Sequence, residues 1–146
     1  MSTTQTSSLE KKLAFSLLAL RVAIALVFMV WAFDKIVAPE HTTKVFSAFY
    51  GIDLSSSIAT AMGIAQVGFV AAFALGLWKN VTYLAVLVLH AGSTLSAFAK
   101  YLDPFSNLLF FAAWPMLAAC FALYLLRDFD VLVFSSNSKQ AKSATA

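Results

Sequence analysis

Arg21 lies eight residues inside a stretch, 13–33, that is otherwise apolar apart from Ser16 and long enough to cross a bilayer. A hydrocarbon core takes about 20 helical residues to span, and a cationic side chain within it costs several kcal/mol, so such an arginine faces a bundle interior or a wet cavity. Snorkelling to the cytoplasmic headgroups is the alternative, a reach of about 12 Å; otherwise the fold must bring Arg21 partners from elsewhere in the sequence.

The rest of the chain fits that setting. Of 146 residues, 61% are hydrophobic and 12% charged, where a soluble domain carries roughly a quarter charged. Three further apolar stretches, at 57–78, 82–99 and 107–126, give four candidate spans. The expected fold is all-α, an integral membrane four-helix bundle with little room for a soluble domain. The first stretch is too long for a secretory h-region and lacks a small-x-small cleavage site, so it is expected to be retained. Residues 1–11 and 131–146 read as disordered cytoplasmic tails around a membrane domain at 12–130, because 1–8 and 135–146 are rich in Ser, Thr, Lys and Gln with little to bury.

Orientation follows from the basic residues outside the spans. Lys11, Lys12, Lys79, Arg127, Lys139 and Lys142 share the side of the termini; Lys35, Lys44 and Lys100 share the other. Both termini are therefore expected in the cytoplasm of a multi-pass protein. The same scatter leaves no continuous basic patch, which argues against nucleic acid as a partner. In the long connection 34–56, Pro39 suits a helix start and Gly51 a helix end, while Val45, Phe46, Phe49 and Tyr50 fall at helical spacing, predicting a short interfacial helix on the outer surface.

Small residues mark expected helix contacts: Ala61, Ala65, Gly68, Ala72 and Gly76 form one stripe, suited to packing or to homo-oligomerisation. Pro115 removes the bond to the Phe111 carbonyl and predicts a kink or a freed acceptor near Trp114. Arg21, Gln66 and His90 reach a similar depth, with Ser93 and Thr94 continuing a polar seam from His90. Gln66 and His90 are the favoured partners of Arg21, with interhelical hydrogen bonds of their own as the alternative for both, and Phe28, Trp31 and Trp114 are the expected apolar lining of a ligand pocket. Tyr83 and Tyr124 read as members of an interfacial aromatic belt.

The absent chemistry is equally informative. Cys120 is the only cysteine, which leaves no internal disulfide, no CxxC centre and no zinc site built on cysteines. His41 and His90 lie in different regions, so no bis-histidine haem is expected. No span carries an Asp or Glu, the usual proton-coupled group of pumps and transporters, and there is no phosphate-binding glycine loop or nucleophile elbow.

Arg21 followed by Val27 through Lys35, then Pro39-Glu40, then Phe46 to Gly51, resembles the opening of DoxX-family membrane proteins. Leu89 through Ser96, and Leu108 through Leu117 running on to Tyr124–Asp128, extend the likeness over most of residues 12–130. The chain departs from the family in having Ala32 where glycine is expected. The resemblance implies a compact four-helix bundle of the bacterial inner membrane and a tie to quinone-linked redox chemistry and oxidative-stress defence. It carries over no catalytic residue set. Three function classes follow: a redox- or stress-associated subunit that binds a quinone-like or anionic ligand near Arg21 and His90 and docks a redox partner protein; an oligomeric transporter or channel for a small metabolite; and a scaffold in which Arg21 only locks helices.

Overall fold

The computed structural model describes residues 3–134, with side chains from residue 7 onward. Its regular elements are all helices: α1 (Thr3–Val37), α2 (Pro39–Tyr50), α3 (Ser56–Ala74), α4 (Lys79–Ser96), the single turn α5 (Phe98–Tyr101), and α6 (Ala113–Leu125). Two 3-10 segments, Leu108–Ala112 and Arg127–Phe129, flank α6.

No proline or glycine interrupts the chain from residue 3 to residue 37, so α1 continues N-terminally into residues expected to be a tail. Pro39 opens α2 in its first turn, and Gly51 closes it in the left-handed region at φ 65°. This is the short helix expected between the first two apolar stretches. Ser55 caps α3 by accepting the Ile58 N–H at 3.3 Å.

α1 packs most extensively on α3, and α4 on α6; α2 folds back over the α1–α3 pair. Close approach between α1 and α3 is made at Gly63: a Cβ there would lie 2.8 Å from Lys35 Cβ and 2.9 Å from the Ala32 carbonyl oxygen. Ala32, on α1, and Ala59, on α3, are fully buried. Gly63 on α3 thus supplies the space that the close approach of the two helices requires. The predicted stripe turns away from this contact: Ala61, Ala65 and Gly68 are exposed, and only Gly76 is buried. Phase explains the difference, because Ala59, Gly63, Val70 and Phe73 lie on the opposite face of α3.

Leu17, Ile24, Val70, Phe73, Tyr83, Val86, Cys120 and Leu123 form the core between α1, α3, α4 and α6. Outside it, Phe15, Leu26 and Phe33 on α1 and Phe121 and Leu125 on α6 are exposed. Among the described residues, three helices are long and apolar enough to cross a membrane, at Ser7–Val37, Ser56–Ala74 and Leu108–Leu125. α4 is of similar length but carries Lys79, Asn80 and His90, and it falls outside that set. The irregularity falls just ahead of Pro115, which itself lies in the first turn of α6: the 3-10 segment gives way to α-helix at Ala113, whose carbonyl oxygen meets the His90 ring.

After α6 the chain turns back. The 3-10 turn Arg127–Phe129 redirects residues 130–134 across the end of the helices, where the Phe134 N–H donates to the Leu75 carbonyl at 2.9 Å. We call 130–134 the strap. Residues 131–134 of it fall where a disordered tail was expected, whereas residues 135–146 of that expected tail lie outside the described part.

Candidate functional site

Arg21 is 2% exposed, on the inner face of α1. Its Nη1 donates to the Tyr83 hydroxyl at 3.1 Å and to Asp130 Oδ2; its Nη2 donates to the Leu132 carbonyl. Tyr83, 1% exposed, donates its own hydroxyl hydrogen to Asp130 Oδ2 at 2.6 Å. The result is a dry ion pair between α1 and the strap with a phenol from α4 bridging both members. Two buried atoms within it lack partners, Arg21 Nε and Asp130 Oδ1.

This corrects the expected partners. Gln66 donates to the Phe28 carbonyl at 3.1 Å, and His90 Nε2 lies 3.1 Å from the Ala113 carbonyl. Neither touches Arg21. The arginine instead recruits a carboxylate from beyond the last apolar stretch, and Tyr83 belongs to this cluster and not to an interfacial belt. A carboxylate was expected nowhere within the helices; the fold supplies one by turning the strap inward.

The local backbone explains how the strap reaches Arg21. Gly76, at φ 73°, ends α3 in a tight turn with Trp78 at φ 47°. A Cβ on Gly76 would stand 2.7 Å from Val133 Cβ and 3.0 Å from Arg21 Nη1, so only glycine leaves room for strap and guanidinium together. Thr82 closes the turn by donating to the Leu77 carbonyl at 2.8 Å. Lys79 then secures the strap's start, donating to the Arg127 carbonyl at 2.8 Å and the Asp130 carbonyl at 3.1 Å.

The remaining candidates divide into separate groups. Phe28 and His90 have ring centroids 6.3 Å apart and, with Gln66, make one interhelical cluster. Thr94 is buried and donates to the His90 carbonyl at 2.8 Å within α4, while Ser93 is exposed. Trp114 packs on Tyr101 at 5.4 Å, and the Tyr101 hydroxyl donates to the Thr94 carbonyl at 3.0 Å. No ring of these residues surrounds Arg21.

Trp31 belongs to the opposite end. There Val30, Trp31 and Asp34 of α1 and His41, Lys44 and Val45 of α2 line an open groove of about 450 Å³. The spacing places one turn of each helix along either wall. His41 Nδ1 lies 3.0 Å from Asp34 Oδ1, which orients the imidazole and leaves Nε2 for another partner. Lys35 Nζ donates to the Trp31 carbonyl at 3.1 Å and sits 5.8 Å from the Trp31 ring centroid, helping to fix the indole. Sequence reading picked out Trp31 here but passed over His41 and Lys44, whose spacing of three on a short helix was the available signal. Among the described residues, no three His, Cys, Asp or Glu side chains converge to hold a metal ion.

Comparison of the chain with protein families, with characterised proteins and with solved structures finds no match.

Proposed function

We propose that this chain is a DoxX-like multi-pass protein of the bacterial inner membrane that holds a quinone-like ligand in the groove between α1 and α2, as a redox- or stress-associated subunit. The observation that carries the reading is the pairing, in that groove, of an apolar and aromatic wall at Val30, Trp31 and Val45 with the polar groups of His41, Asp34 and Lys44. A quinone ring needs a flat apolar surface on its face and donors at its carbonyl oxygens. Trp31 offers the first; His41 Nε2 and the Lys44 ammonium offer the second. The His41–Asp34 pair is suited to exchanging a proton with a reduced ring.

The membrane setting draws on the three long apolar helices and the exposed apolar faces of α1 and α6. α4 completes four spans, shielding its polar groups against its neighbours. The basic residues set the strap and both termini in the cytoplasm and the groove at the periplasmic surface, where the ring of a lipid-borne quinone is accessible and a redox partner protein can dock. The outward small-residue face of α3 suits a second copy of the chain.

A second reading, the membrane scaffold, is favoured by one observation: the donors on both terminal nitrogens of Arg21 are used within the chain, which suits a lock.

The test is retention of quinone by the protein purified into nanodiscs, with a short-chain quinone titrated against Trp31 fluorescence in a Trp78→Phe/Trp114→Phe background. Saturable quenching that is lost in His41→Ala/Lys44→Ala supports the groove. Quenching that is linear and identical in that variant refutes it and favours the scaffold.

A further inference from the structure

The strap is held by polar groups and buries little. Val131 is 66% exposed, Leu132 40% and Phe134 76%, so three of the strap's four apolar side chains stay outside. What fastens it is the Asp130 carboxylate, the Leu132 and Asp130 carbonyls, one backbone bond from Phe134, and Val133 over Gly76. Lifting it would expose little new apolar surface and would leave a fully buried guanidinium without a counter-charge.

The carboxylate also fits its pocket incompletely. Asp130 Oδ2 takes both available donors, from Arg21 Nη1 and Tyr83, while Oδ1 takes none and Arg21 Nε gives none. A guanidinium and a carboxylate pair best as a fork, with two parallel bonds. In the strap the second terminal nitrogen donates instead to the Leu132 carbonyl, two residues along, and no second bond to the carboxylate forms. A carboxylate free of the strap could engage two nitrogens of Arg21 and still accept from Tyr83.

We propose that the pocket formed by Arg21, Tyr83 and Gly76 is a binding site for a small organic monocarboxylate, which Asp130 occupies in cis until the free anion displaces the strap. The site lies at the opposite end of the helices from the α1–α2 groove and does not depend on it. One delocalised negative charge matches the one guanidinium. A phosphate dianion is disfavoured, because the nearby ammonium of Lys79 already donates to two carbonyls and the glycine-lined slot is narrow.

The experiment is chemical rescue of Asp130→Ala in nanodiscs, with acetate, chloride and inorganic phosphate compared at equal ionic strength. Unfolding is followed through reaction of the buried Cys120 thiol with a fluorogenic maleimide. Acetate should raise the melting temperature of the variant saturably by several degrees, towards wild type, with chloride and phosphate ineffective and Arg21→Gln/Asp130→Ala unresponsive. Should Asp130→Ala fail to fold, Asp130→Asn, which keeps the shape and removes the charge, is titrated in the same way. Acetate that stabilises neither variant more than chloride does, or that stabilises the double variant equally, overturns the site. Displacement is read from a spin label at Phe134→Cys in a Cys120→Ala background: acetate should mobilise it, and a label unmoved at rescuing concentrations overturns the exchange.

Discussion

Replacing Arg21 by Met, Asp130 by Leu, and both together forms a cycle whose outcome follows from burial. Arg21 is 2% exposed and Asp130 fully buried, so each single change strands one charge away from water. Breaking a buried pair from one side costs about 3–5 kcal/mol, whereas replacing both members by apolar groups of similar volume is close to neutral. Tyr83 moderates this only slightly, since its hydroxyl contacts both members and can serve whichever one remains. At about 2–4 °C per kcal/mol for a chain of this size, each single variant should melt about 10 °C below wild type. The double variant should recover most of that loss, giving a coupling energy of about 3 kcal/mol or more. Thermal unfolding in mild detergent, read by circular dichroism and by Cys120 labelling, measures all four corners. Single variants within about 1 kcal/mol of wild type, or a double variant as unstable as the sum of its parts, would refute the pairing.

Two other changes test the packing and the seam. Gly63→Ala puts a methyl group into atoms of α1 less than 3 Å away and should destabilise by about 1–3 kcal/mol in the same melts, despite alanine's better helix propensity. Gln66→Leu should cost under about 1 kcal/mol, because it removes a single bond to a helix carbonyl; a large loss would mean that Gln66 has a further role.

The need for a partner at Arg21 was legible from its depth in an apolar stretch, as were the helical class, the short helix opened by Pro39, and the irregularity just ahead of Pro115. The partner itself was not. Equal depth suggested Gln66 and His90, but depth says nothing of rotation about the helix axis, and both side chains turn to carbonyls on other elements. Asp130 was read as the last residue before a tail, although the run Phe129, Val131, Leu132, Val133 and Phe134 around it is too apolar for one. Tyr83 was misjudged because an aromatic near a span end resembles a belt residue until the strap covers it. The groove needed the fold, since its two walls come from helices that meet only after the turn at Ala38.

The ion pair joins residues 109 positions apart, and this has a consequence for synthesis. α1 is complete while Asp130 is still untranslated, so the arginine spends the making of α3, α4 and α6 without its acid. During that interval its charge must be met by something other than Asp130. Ribosome stalling anywhere before residue 130 would leave Arg21 without the carboxylate that answers its charge in the finished fold.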